Sequence, residues 1–345
     1  MRESFVDAGG VRLRAVAQGE GPVVLMLHGF PGLAWSWRRQ MRPLAEAGFK
    51  AVAIDSLGYG GSDRPLNARL YASDRINTYL KAALDHFEAE SAFIVGQDFG
   101  AQYAWNFAVR SPGRVRGLVA TIPYDYNMAG RGMLGAARTE PEGAPVLPEV
   151  ASPNSLPTER FAAMAAHSFV HLHYFQQVGP GDRELGERPA EFLKRILWAL
   201  SSKGDLFAVR NPAAPGAGYI DRLPPAPDLP WDWLSKEEFD ACVAQFDHPD
   251  LERRFIGGMN SYRTADINWQ IGRAYADADV TTPTLFIFGA DDPTMNFFPD
   301  WEARMRKRVP GLKRIVAIKG AGHFAQQEQA EAFSAALIAF LKENA

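Results

Sequence analysis

The chain holds one cysteine, Cys242, so no disulfide can close within it and no multi-cysteine metal centre can be built. Neither sign of charge dominates. With 37 Lys and Arg against 40 Asp and Glu, the formal net charge is −3, which argues against nucleic acid or an anionic membrane surface as main partner. No apolar run approaches a membrane span, and residues 1–10 lack the apolar core of a secretion signal, so a cytoplasmic location is expected. There is no His-Glu-x-x-His, no nucleotide loop, no internal repeat and no low-complexity tract, so neither a metal nor a cofactor is expected. Small neutral substrates suit such a chain better.

What is present is ample material for a core. The 345 residues, 47% hydrophobic and 22% charged, suffice for one large α/β domain with an insertion, or for two domains. Residues 2–16, broken by Gly9-Gly10, read as an edge hairpin. Apolar runs at 23–27, 50–54, 92–95 and 117–122 read as strands, with helices predicted over 35–47 and 71–87 between them. Strands alternating with helices imply an α/β architecture, a mostly parallel sheet covered by helices on both faces. The rhythm breaks over 127–268, where a Gly/Pro/Glu-rich linker near 130–157 is followed by predicted helices at 159–176, 189–202, 235–245 and 249–256. This segment is expected to be an inserted helical cap on a core of residues 1–126 and 269–345. Its proline-rich stretch, 212–230, offers a surface for a homodimer. Strands at 284–288 and 314–318 and a helix at 329–342 complete the core.

The chain is organised around Gly96-Gln97-Asp98-Phe99-Gly100, lying between a buried strand and apolar residues at helical spacing. Strand, sharp turn and helix form the setting in which a nucleophile elbow lifts its central side chain above a sheet. Here that residue is Asp98 rather than serine. A carboxylate is ionised at neutral pH and can attack carbon directly, leaving an ester that water must then clear with the help of a base and an oxyanion hole. The alternative is an aspartate that caps the helix. Beyond the other strand ends lie His28-Gly29-Phe30-Pro31, Asp291-Asp292 and Gly322-His323, and the order nucleophile, acid, histidine is that of an α/β-hydrolase triad.

These segments, together with Gly58-Tyr59-Gly60-Gly61-Ser62 and Gly257-Gly258-Met259-Asn260-Ser261-Tyr262-Arg263, resemble the α/β-hydrolase-fold epoxide hydrolases over essentially the whole chain. The resemblance implies a small hydrophobic epoxide and water as substrates. Asp98 would open the epoxide, His323 would activate water, Asp292 would orient His323, and the backbone N–H groups of Phe30 and Phe99 would form the oxyanion hole. Asp291 stands as a rival to Asp292. Some related hydrolases take the acid from the strand after the elbow helix, where this chain offers Thr121, with Asp125 the nearest carboxylate. In the family two cap tyrosines hold the departing oxygen. Tyr262 matches one, and the other, three positions before Tyr174, is His171, as in a bacterial subgroup that uses a His/Tyr pair. Gln97 stands where the family often has histidine. Phe99 and Trp35 are expected to wall the pocket.

Two competitors remain. Haloalkane and haloacid dehalogenases share the Asp nucleophile, but the haloalkane enzymes usually place a halide-binding tryptophan after it, where this chain has Phe99. A non-catalytic ligand-binding homologue should show a broken triad, and this triad is complete. A serine esterase is disfavoured because no Gly-x-Ser-x-Gly occurs.

Overall fold

The computed structural model describes residues 1–124, 155–210, 216–298 and 300–345. Eight strands form one sheet: β1 (Arg2–Asp7), β2 (Arg12–Gln18), β3 (Val23–Leu27), β4 (Lys50–Ile54), β5 (Ala92–Gly96), β6 (Val115–Ala120), β7 (Thr284–Gly289) and β8 (Leu312–Ile318). Their spatial order is β1-β2-β4-β3-β5-β6-β7-β8. Only the β1–β2 and β2–β4 pairs are antiparallel. The remaining pairs are parallel.

Core helices α1 (Arg38–Glu46), α2 (Ser73–His86) and α3 (Phe99–Arg110) precede the insertion. Between β6 and β7 come α4 (Pro157–Ala165), α5 (His171–Tyr174), α6 (Pro180–Glu187), α7 (Pro189–Ala199), α8 (Tyr219–Arg222), α9 (Lys236–Ala244), α10 (Ile256–Arg263) and α11 (Ala265–Gly272). The chain closes with α12 (Trp301–Arg308), α13 (Ala325–Glu328) and α14 (Ala330–Glu343). No described helix is long and apolar enough to cross a membrane.

Every residue of β3 and β5 is buried, as continuous apolar runs require when both faces of a strand are covered. Alternate side chains serve opposite faces. Leu25 and Ile94 pack in one cluster with Leu80 of α2 and Phe107 of α3, whereas Met26 and Val95 pack in another with Leu44 of α1 and Leu337 of α14. Each such aliphatic side chain withdrawn from water stabilises the fold by roughly 1.5–3 kcal/mol.

The strand order positions the site. After β3 the chain moves outward to β4, then returns to lay β5 on the other side of β3, so the loops leaving β3 and β5 diverge at a switch point. Ligands of open α/β sheets bind in such a crevice. The insertion sits over it and is fastened by Arg64, whose buried guanidinium donates to the carbonyls of Gln245, Phe246 and Asp247 just past α9, and to Gly60 of its own loop.

Four expectations change. The helix predicted over 159–176 is broken: Val170 is extended, with φ −126° and ψ 107°, and the break lets Phe161 of α4 and Leu172 of α5 both pack against Ala265. Over 249–256 there is a short 3-10 turn, Leu251–Arg253, before α10, because the Asp250 carboxylate accepts the Glu252 N–H and so competes with the helical pattern. The helix α12 was not expected, since it buries only Met305 and carries no apolar stripe to read. The boundary expected at 268/269 falls inside α11. The linker expected near 130–157 lies outside the described residues up to 154, as do Asp125 and residues 211–215 of the proline-rich stretch.

Candidate active site

Asp98 follows β5 after one intervening residue, Gln97, and is held at φ +53°, ψ −120°, a conformation that costs a non-glycine residue about 1–3 kcal/mol and persists only when its surroundings impose it. Close packing imposes it here. A Cβ on Gly100 would lie 2.1 Å from the Leu27 carbonyl oxygen, and one on Gly29 would lie 2.3 Å from Asp98 itself. The Thr121 hydroxyl accepts the Asp98 backbone N–H at 3.3 Å, so Thr121 supports the elbow from the end of β6. The Asp98 side chain keeps 23% of its surface accessible, whereas those of His323 and Asp292 keep 2% each.

Oδ1 of Asp98 accepts the Phe30 N–H at 2.9 Å. Burial alone would hinder ionisation of Asp98, but His323 and the N–H groups of Phe30 and Phe99 outweigh it, leaving the carboxyl below its usual range. Phe99 is also the first residue of α3, where the helix dipole favours negative charge. His28 has a supporting role. Its Nε2 accepts the Ser56 N–H at 3.0 Å, leaving the Nδ1 proton to be donated to the Gly29 carbonyl at 2.8 Å.

His323 stands opposite, its Nε2 3.6 Å from Asp98 Oδ2 and its Nδ1 2.9 Å from Asp292 Oδ2. Asp292 is buried while Asp291 is exposed, so the structure brings only Asp292 to the imidazole. Thr294 saturates the other Asp292 oxygen through its N–H (2.8 Å) and hydroxyl (2.7 Å). Burial would lower the His323 pKa, but the two flanking carboxylates outweigh it and lift the imidazolium to about 10. Gln97 joins the two halves: it accepts the Gly29 N–H and donates to the His323 carbonyl, each at 3.3 Å. Its amide thus supplies the elbow support that the departure from histidine had left open.

The segment Gly257–Arg263 is used residue by residue. Gly257 and Gly258 admit the rings of Tyr59 and Phe30, since a Cβ at either would lie 2.2 Å from the ring it faces. Asn260 donates to the Leu66 carbonyl. The Tyr103 and Ser261 hydroxyls bond at 2.9 Å, tying α10 to the elbow helix. Arg263 pairs in two bonds with buried Asp182, at 2.6 and 2.9 Å. Tyr262 is thereby set between the Phe99 ring, at 5.0 Å, and the His171 ring, at 5.7 Å. Trp35, expected as a second wall, packs partly buried against the cluster that holds Phe30 and Phe99 and carries the Arg38 guanidinium 3.5 Å over its ring, and Arg38 bonds Glu238 of α9.

Comparisons with known proteins place the chain in a family. A family model described as alpha/beta hydrolase fold matches residues 22–154. Epoxide hydrolase A of Mycobacterium tuberculosis (strain ATCC 25618 / H37Rv) is 38% identical over 342 residues, 98% of this chain and 97% of its own. The chain belongs to the α/β-hydrolase-fold epoxide hydrolases. Another member, epoxide hydrolase 3 of Siraitia grosvenorii, is 30% identical across 98% of this chain and 97% of its own. Among solved structures, epoxide hydrolase A of Mycobacterium thermoresistibile superposes with a TM-score of 0.82 at 37% identity, covering 99% of this chain and 98% of that one. The epoxide hydrolase of an endophytic Streptomyces gives 0.83 at 30% identity, covering 99% and 95%.

Within this family member, sequence reasoning missed Thr294 and noted Gln97 only as a departure from the family's histidine. Asp-Pro-Thr is a turn signal that names Thr294 only as a turn residue. Nothing local marks Gln97 as a bridge between two loops.

Proposed function

We propose that this epoxide hydrolase converts a small hydrophobic epoxide into a vicinal diol through an ester on Asp98. The observation that carries the reading is the division of labour within one carboxylate: Oδ1 rests on the Phe30 N–H, while Oδ2 faces His323. Oδ2 is therefore the attacking oxygen, and Oδ1 becomes the ester carbonyl oxygen, already seated among the donors that stabilise it as an oxyanion. Attack forms a C–Oδ2 bond and breaks the epoxide C–O bond. The departing oxygen receives a hydrogen bond, and then a proton, from the Tyr262/His171 pair.

The resting imidazolium balances the protons. Forming the ester neutralises Asp98 and removes one of the two carboxylates that raise His323. His323 then yields its proton to restore the donor pair and becomes a neutral base, oriented by Asp292. Water activated at Nε2 attacks Cγ, the Cγ–Oδ2 bond breaks, the diol leaves, and the proton of the regenerated carboxyl returns to His323.

Single turnover of styrene oxide in H₂¹⁸O tests this. The expected first-turnover diol carries no label, and one ¹⁸O appears in the Asp98 peptide. Labelled diol with an unlabelled enzyme would mean direct attack by water and would overturn the ester route. Turnover of haloalkanes but not epoxides would overturn the substrate class.

A further inference from the structure

Glu328, at the end of α13, lies five residues past the proposed base, and the mechanism above does not use it. Its carboxylate accepts the backbone N–H groups of the two residues that flank His323: Gly322 on Oε2 at 3.0 Å and Phe324 on Oε1 at 3.2 Å. Oε2 also accepts the Ser202 N–H at 2.9 Å, from the turn just past α7. The N–H of His323 itself goes to the Leu200 carbonyl of the same turn, at 2.9 Å. Three consecutive N–H groups are thus fixed, two by Glu328 and one by the insertion. The loop and the turn approach so closely that a Cβ on Gly322 would lie 2.4 Å from Ser202 N. Charge-assisted bonds from backbone N–H groups to a half-buried carboxylate are among the stronger positioning contacts available to a loop.

Glu328 makes no hydrogen bond to the imidazole, to Asp98 or to Asp292. The elbow, for its part, is held by Gly29, Gly100, Thr121 and Gln97, with no bond to Glu328. Gln97 touches both sides, through the Gly29 N–H and the His323 carbonyl, whereas the bonds of Glu328 all lie on the His323 side.

We infer that Glu328 is the positioning residue for His323: it sets the backbone on both sides of the base and fastens it to the Leu200–Ser202 turn of the insertion. Ester hydrolysis then depends on this fastening of the His323 loop to residues 200–202, whereas ring opening uses the insertion through Tyr262 and His171, to which Glu328 makes none of these bonds. The inference rests on the two-step reading above. Hydrolysis needs a water within reach of both Nε2 and Cγ, and a displacement of about 1 Å at such a site costs about 100-fold.

Rapid-quench intact-mass spectrometry with styrene oxide reads the two steps separately. In Glu328→Gln, one acceptor oxygen becomes a donor facing backbone N–H. Ester formation is expected to stay within about threefold of wild type while ester breakdown falls about 100-fold, so the ester accumulates. Glu328→Asp keeps the charge on a shorter arm and is expected to slow breakdown less. It carries the test if Glu328→Gln does not fold. Unchanged breakdown, or an equal fall in both steps, in a folded variant would overturn the inference. If His323→Gln never gives an adduct on Asp98, it is the two-step reading that has failed.

Discussion

Asp98 and Asp292 face the same imidazole from opposite ends, and the fold treats them in opposite ways. Asp98 sits on a strained elbow, with one oxygen accepting the Phe30 N–H and the other 3.6 Å from His323 Nε2, the side chain keeping 23% of its surface accessible. Asp292 has ordinary extended backbone and a 2% exposed side chain, with one oxygen saturated by Thr294 and the other bonded to His323. A carboxylate with an accessible oxygen can attack carbon. One whose oxygens are both engaged out of reach can only orient and stabilise. The same residue type therefore serves two roles, set by strain, exposure and hydrogen bonding rather than by its own chemistry.

The sharpest way to break the contrast is to remove each carboxylate. Asp98→Gly should abolish diol formation, a loss of at least about 10⁴-fold, because both steps pass through that side chain. It should also stabilise the fold by on the order of 1 kcal/mol, since glycine adopts positive φ without strain. Denaturant unfolding beside a diol assay checks both signs. Asp292→Asn should leave ester formation nearly intact and slow its breakdown by about 10³–10⁴-fold, the scale seen for orienting acids in other triads.

The pairing of both carboxylates with His323 also sets how stability follows pH. Burial would lower the His323 pKa, but Asp292 and Asp98 raise it from 6.5 to about 10. A raised folded-state pKa stabilises fully below the unfolded value and ceases to do so as pH rises through the folded one. The difference in thermal midpoint between wild type and Asp292→Asn should therefore be full just below pH 6.5 and shrink from there toward pH 10. A difference that widens with pH would contradict the charge assignment.

Ring opening is next. Tyr262→Phe should slow ester formation by about 10²-fold and leave breakdown untouched, while His171→Phe should act on the same step more weakly. Stopped-flow tryptophan fluorescence with peptide mapping separates the two.

Much of this was legible in the chain because elbow and triad are short local patterns. Asp98 lies between two glycines that only close packing explains, and Asp292 and His323 each end an apolar run. Other features were not legible, because they join segments far apart in sequence. Arg263 belongs to a recognisable segment, but its partner, the buried Asp182 of α6, lies 81 residues away and carries no local signal. Glu328 reads as one acidic residue among polar neighbours, and only the docking of residues 200–202 shows what it holds. Phe161 and Leu172 were assigned to one helix because periodicity does not record the extended backbone of Val170 between them.

The most direct measurement is intact-protein mass spectrometry of His323→Gln incubated with styrene oxide, followed by peptide mapping. The expected result is a lasting mass gain equal to the whole epoxide, mapped to Asp98, because attack by a carboxylate needs no base whereas hydrolysis of its ester does. An adduct on another residue, or a folded variant that turns over epoxide at the wild-type rate with no adduct, would contradict the assignment of Asp98 as nucleophile and His323 as base.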